Sequence, residues 1–452
     1  MKTTEIDMIH GALTKKMLSF TLPIALNSIV QQLFNAADTA VVGYFSNANA
    51  LAAVGTNTEI IALIVTVSSG LSVGVNVLIA NQIGQNRKQQ LTTEVQTAVF
   101  LSVLIGIVGL FFGQSVAAPL LHIIQTPESI FHSAELYLRV YLLGYPFLLL
   151  YDFCSAVLRA RGDSRYPFLV LMMSGAANVV LNLFFVIVFH MGVSGVALAT
   201  DISNVLSALL VLIRIKKDEQ FCLKLRNLKF SLHFTGKILK TGIPSAVQGA
   251  VFCFANIFVQ ASVKSFGKTA IAGSTIAMNF EYFTYYIITA FGQTATTFTR
   301  QNYAAKQYAR CRKILSLNLL LSTVCSSIPI FTIVLFRSTF SGLFSSDAAV
   351  VESAGIRIIN ILMFEPICNL YEIPAGVLRG SGHALYPADS TMLGTCAFRI
   401  IWICTIFRSD PSLLMLYHAF PLSWVATILL VNIGCITIAY REKKKRTEAI
   451  RS

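Results

Sequence analysis

The chain has 452 residues, of which 55% are hydrophobic and only 12% charged, and its mean hydropathy is +0.68. A soluble globular protein carries roughly 25% charged residues, and here the apolar excess runs from end to end, which excludes a soluble domain on a single anchor. A net charge of +14 would suggest nucleic acid in a soluble protein, so the placement of the basic residues has to decide what they mean.

The first residues are polar, and the apolar run that follows is too long for the core of a cleavable signal, so it is expected to stay as a helix. A spanning helix needs about 20 mostly apolar residues. Twelve stretches qualify: 17–44, 50–80, 93–118, 134–158, 166–190, 193–213, 239–264, 270–299, 314–336, 356–378, 387–407 and 412–439. With the N-terminus inside, 28 of the 35 Lys and Arg fall on inside segments, and 113–133 has none. That bias predicts a multi-pass protein of the cell (cytoplasmic) membrane with both termini cytoplasmic. The positive charge then reflects topology, with the Lys443–Arg446 run available to anionic lipid, and nucleic acid is not an expected partner. The nine cysteines include no C-x-x-C pair and mostly sit in apolar runs (Cys253, Cys325, Cys404, Cys435), as small buried residues do.

The longest polar stretch, Arg214–Lys240, falls near the middle. It separates an expected six-helix bundle over 1–213 from a second over 239–440, with 214–238 a cytoplasmic linker and 441–452 a basic tail. The halves are copies. Val157–Pro167 reads VLRARGDSRYP and Val377–Pro387 reads VLRGSGHALYP. At an offset of 220–221 residues, Pro23 pairs with Pro244, Asn35 with Asn256, Pro146 with Pro366, Asp152 with Glu372, and Gln82-Ile83-Gly84 with Asn302-Tyr303-Ala304. Both copies start inside, which defines a parallel repeat. The expected fold is therefore an all-α polytopic membrane protein with twelve transmembrane helices in two parallel-repeat six-helix bundles.

No enzyme motif is present. Gly267-Lys268-Thr269 resembles the end of a phosphate loop, but Ser262 stands where the first glycine should be, and neither a hydrolase elbow nor a His/Cys metal pattern occurs. Acids inside apolar helices are the informative feature, because each costs about 2.5–3.5 kcal/mol at a helix centre. They are Asp38, Glu59, Asp152, Asp201, Glu281, Glu365 and Glu372.

Asp38 has no basic residue within a turn or two, and Asn35 shares nearly its face. Its alternative is a carboxylate reaching for the outer interface, which is also the default for Glu59. Asn178 and Asn182 lie four apart on one face. They offer amide oxygens to a hard cation or glue between helices. Thr200 and Asp201 could add oxygens, or Asp201 could serve helix packing. Asp152 and Glu372 precede Arg159 and Arg379 by about two turns and could belong to the repeat scaffold. Glu365 precedes Pro366. Glu281 sits among aromatics (MNFEYFTYYI), which suit a lipophilic cation or ordinary packing.

Several stretches carry a family likeness: FNAADTAVVGYF with the early Pro23, NANALAAVG at the start of the second helix, the inside turns ANQIGQNR and RQNYAAKQ, and the paired R-x-x-G-x-x-x-Y-P segments. On these the chain resembles the MATE family, the multidrug and toxic compound extrusion transporters, in its prokaryotic branch. The resemblance implies a V-shaped pair of bundles around a central cavity. It implies alternating access driven by Na⁺ or H⁺, with organic cations or other amphipathic compounds moved outward. It implies a cation or proton site at Asp38, Asn178, Asn182 and Thr200, with Asp38, Asn178 and Asn182 as Na⁺ ligands. Asn182 stands where some members have Asp, and Phe252 where other branches have an acid on the seventh helix. Glu372 lies near the tenth-helix acid of those branches.

The expected function is secondary active multidrug efflux by a monomer, with Na⁺ or H⁺ as coupling ion and no cofactor. Asn35, Glu281, Glu372 and Asp152 are further candidate contacts to ion or substrate. The alternative is a lipid-linked saccharide flippase, for which few basic residues (mainly Arg139 and Arg399) are available within the helices.

Overall fold

The computed structural model describes residues 5–45, 48–124, 126–218, 221 and 229–451. Among the described residues every regular element is a helix. Apart from two short helices, Arg337–Gly342 and Ile406–Ser409, they fall into twelve long segments in chain order. The first six are Leu13–Phe45, Ala48–Gly84, Lys88–Ile123, Glu128–Leu143 with Tyr145–Arg161, Arg165–Leu183 running into a π turn at Phe184–Val188, and Gly192–Lys216. The next are Leu232–Lys264, Gly267–Ala304, Tyr308–Leu335, and Ala348–Asn360 leading through a 3-10 turn at Leu362–Cys368 to Asn369–Ser381. The last two are Leu385–Thr391 leading through a π turn at Met392–Ala397 to Phe398–Cys404, and Leu413–Arg451.

Nine of these segments are long and apolar enough to cross a membrane, and the fourth adds a tenth if its halves, bent by 44° at Gly144, form one span. The other two explain themselves. The eighth is rich in Thr, Tyr and Gln, and the tenth is interrupted around Pro366, whose ring and missing N–H break the helical ladder. Leu335, Phe111 and Ile436 are at least 70% exposed, the pattern expected of a surface that faces lipid.

By internal contacts the chain forms two compact units. One holds the segment up to Gly11 with residues 22–246, and the other holds 12–21 with 247–452. Their edges fall inside the first and seventh segments, beside Pro23 and Pro244. Helix extends into both ends of the polar stretch 214–238, through Lys216 and from Leu232. Residues 219–220 and 222–228 of that stretch lie outside the described residues, as do the side chains of Lys443, Lys445 and Arg446.

The duplicated R-x-x-G-x-x-x-Y-P segment is a helix stop followed by a clamp. Gly162 (φ +99°) and Gly382 (φ +98°) take the left-handed conformation that ends a helix. Gly162 N–H bonds the Arg159 carbonyl at 2.9 Å and Asp163 N–H bonds Leu158 at 3.0 Å. In the other half, Gly382 bonds Arg379 at 3.1 Å and His383 bonds Leu378 at 2.9 Å. The tyrosine then ties the next helix down: Tyr166 Oη donates to the Leu210 carbonyl at 3.3 Å and Tyr386 Oη to Leu430 at 3.0 Å, each 44 residues ahead. In the first copy the glycine has a second reason. A Cβ on Gly162 would stand 2.5 Å from the Ile6 carbonyl, because the N-terminal segment docks there. Glu5 reaches Arg161 at 2.7 Å. Burial nonetheless pushes the Glu5 carboxyl above its ordinary range, outweighing the guanidinium.

A second pair of stops ends the second and eighth segments, with Asn86 (φ +55°) and Lys306 (φ +61°) at the left-handed position. Asn tolerates that conformation and Lys pays for it. Lys306 is exposed, so Lys306→Asn, which copies the other repeat, is expected to stabilise the protein by about 0.5–1 kcal/mol. A thermal-unfolding comparison in detergent checks this, and an unchanged or lower midpoint contradicts it.

Candidate functional site

Gly175 brings the fifth segment against the first. A Cβ there would lie 1.8 Å from the Phe34 ring, so only glycine lets that ring lie across the helix. One turn further along both helices, Asp38 meets Asn178 and Asn182. Asp38, Asn178 and Asn182 are 7%, 4% and 0% exposed. Asn182 Nδ2 donates to Asp38 Oδ1 and lies 3.2 Å from Asn178 Oδ1. Asn178 Nδ2 donates to Thr200 Oγ1 at 3.3 Å, and the Thr200 hydroxyl reaches Asp38 Oδ2 at 3.4 Å. The four residues close a ring across three helices. Immediately after Asn182 the helix widens into the π turn at Phe184–Val188, a feature common at functional sites.

Asp38 forms no ion pair with a described Lys or Arg. The Asn182 Oδ1 atom is buried without a hydrogen-bond partner. One carboxylate, two amides and a hydroxyl form a hard oxygen set of low charge. It suits a proton or a monovalent cation and lacks the thiolate or imidazole donors that zinc or copper would need. Among the described residues no group of three or more His, Cys, Asp or Glu is placed to hold a metal ion.

The next residue after Thr200, Asp201, joins the neighbourhood from the other side. Its carboxylate presses on Gly144, where a Cβ would come within 2.1 Å of Oδ1, and its oxygens have no side-chain partner. Tyr137 and Tyr141, four apart on the fourth segment and both buried, lie within electrostatic reach of Asp38 and Asp201. Sequence reasoning missed both tyrosines and both glycines. The only sequence signal was their i, i+4 spacing for the tyrosines and the break at Gly144-Tyr145-Pro146.

The other candidates lie elsewhere. Asn35 is exposed, and its carbonyl accepts from Thr39 at 3.1 Å. Glu59 is exposed. Asp152 sits between Ser68 and Arg159. In the C-terminal unit the acids are engaged. Glu281 receives Arg357 through both oxygens, at 2.7 and 2.8 Å. Glu372 receives Arg379 at 2.7 Å, and Glu365 accepts from Thr284 at 2.6 Å. Arg357, 2% exposed, did not stand out in the sequence. Its signal was a lone cation in the apolar run SAGIRIIN.

A twice-built membrane protein, helical among its described residues, with a buried acid ringed by amides and a hydroxyl in one half has the architecture of a polytopic transporter. The MatE family profile matches residues 23–188 and 244–405, one match in each repeat. The chain belongs to that family, whose members are membrane transporters and not enzymes. It is 22% identical over 439 residues to the probable multidrug resistance protein YoeA of Bacillus subtilis, covering 95% of each chain. It is 27% identical over 398 residues to the probable multidrug resistance protein NorM of Thermotoga maritima, covering 85% of this chain and 84% of the relative. Its fold matches an outward-facing structure of a multidrug resistance MATE family transporter of the MOP superfamily. That match has a TM-score of 0.89 at 21% identity, over 98% of this chain and all of the other.

Proposed function

We propose that this chain is a secondary active multidrug efflux transporter that exchanges inward-moving Na⁺ or H⁺ for organic cations or amphipathic compounds by alternating access, with both termini cytoplasmic. The observation that carries the reading is the Asp38–Asn182–Asn178–Thr200 ring. A buried carboxylate with no counter-cation is costly in a membrane interior and becomes useful if its charge is neutralised in part of a cycle. Binding a proton or Na⁺ at Asp38 changes what Asn182 and Thr200 donate to, and therefore how the first segment sits on the fifth and sixth. The likeness to proteins named for multidrug resistance supports the direction and cargo class.

Efflux of a fluorescent organic cation, with the Na⁺ and H⁺ gradients collapsed separately, tests it. Efflux is expected to stop when one of them is removed. Unchanged efflux with both collapsed would overturn ion coupling.

A further inference from the structure

The C-terminal unit contains a pocket that is partly open at its mouth. Phe252, Tyr282, Tyr285, Phe420 and Trp424 line it, together with Arg399 and other polar side chains. Arg399 is 1% exposed. Its Nε donates to Ser423 Oγ at 3.1 Å and its Nη1 to Asn256 Oδ1 at 3.0 Å. The guanidinium carbon lies 4.1 Å from the centre of the Phe420 ring and 5.7 Å from that of Phe252. Its Nη2 is buried with no hydrogen-bond partner.

Arg357 and Arg379, the comparable buried arginines of this unit, each meet a glutamate. Arg399 forms no ion pair with any described carboxylate. The two acids in the pocket lining do not fill that role. Glu281 has both oxygens on Arg357, and Glu365 accepts from Thr284. Ring faces offset part of the cost of a buried cation. They leave its Nη2 group unsatisfied, which is costly in a buried site. A pocket with apolar walls and a few converging polar groups is the usual form of a small-molecule site. Here the group left without a hydrogen-bond partner at Nη2 belongs to Arg399, a donor with a fixed positive charge that favours an anion over a cation.

We propose that this pocket binds an amphipathic carboxylate, with the anionic head on Arg399 Nη2 and an aromatic or aliphatic body against the rings. The site would give the amphipathic compounds of the efflux reading, on which this rests, an anionic class. Binding itself follows from the pocket's own chemistry, so an equilibrium binding test succeeds or fails independently of ion coupling.

The chain has two tryptophans, Trp402 and Trp424. Trp402→Phe in the full-length protein leaves the pocket indole as the sole tryptophan, excited selectively over tyrosine. Purified in detergent at neutral pH, this variant is titrated with naphthaleneacetate, with naphthaleneacetamide and with naphthylethylammonium. The expected result is saturable quenching by the carboxylate, at least about tenfold tighter than by the amide or the ammonium, as a charge-assisted hydrogen bond warrants. Adding Arg399→Gln is expected to remove the carboxylate's advantage over the amide. Equal or tighter binding of the amide or the ammonium overturns the proposal, as does the absence of saturable quenching by the carboxylate. The ranking of the three ligands decides even if the Arg399 variant does not fold.

Discussion

Asp38→Asn is expected to reduce export to the background of cells lacking the protein while leaving the protein in the membrane at normal abundance. The substitution keeps the shape of the side chain and an oxygen that accepts from Asn182 Nδ2, so the join between the first and fifth segments survives. A change of less than about 1 kcal/mol in stability follows from exchanging one hydrogen-bonding group for another. What it removes is the ability to change charge. The ring then has a single state, and neither a proton nor Na⁺ can shift it. Asp38→Ala is the wrong control, because it would leave Asn182 and Thr200 unpaired as well as removing the charge. The measurement is dye efflux alongside membrane abundance. Efflux by the Asn variant at the wild-type rate would remove Asp38 from the coupling scheme and shift attention to Asp201, the other acid of this cluster without a basic partner.

How far the sequence reached differs between fold and site. The repeat was legible in VLRARGDSRYP and VLRGSGHALYP because the same Arg, Gly, Tyr and Pro recur 220 residues apart. That each glycine ends a helix in the left-handed conformation is seen only in the structure. What the tyrosine does was not legible, since its partner carbonyl lies 44 residues away and nothing in the string marks Leu210 or Leu430. The same limit governs the site. Asn178 and Asn182 share a face by helical geometry alone. That they meet Asp38 depends on Gly175 admitting Phe34, a contact between residues 141 apart in sequence. Asn35 shows the converse: three residues from Asp38 it shares a rough face, yet 100° per residue carries it outward. In the C-terminal unit, Glu281 among aromatics suited a lipophilic cation or ordinary packing, and the arginine that occupies it comes from another segment.

That pair carries the second large expected effect. Arg357→Ala is expected to cost about 3–5 kcal/mol, the usual result of leaving one member of a buried ion pair uncompensated. The geometry decides between this and the 0–1 kcal/mol typical of a surface pair. The side chains of Arg357 and Glu281 are only 3% and 14% exposed. Two hydrogen bonds join them, a third runs from Arg357 to Ser274 Oγ at 2.7 Å, and the guanidinium lies 5.4 Å from the ring centres of both Tyr417 and Phe420. The loss is to be read as a lowered unfolding midpoint and lowered yield in detergent. Pairing Glu281→Gln with Arg357→Met separates charge from packing. It removes both charges while keeping length and apolar volume against the rings, and replacing a whole buried pair is often neutral. The double variant is therefore expected within about 1–2 kcal/mol of the parent. If it is as unstable as Arg357→Ala, the loss lies in the ring contacts and the Ser274 bond, and the pair is not what holds the eighth segment to the tenth.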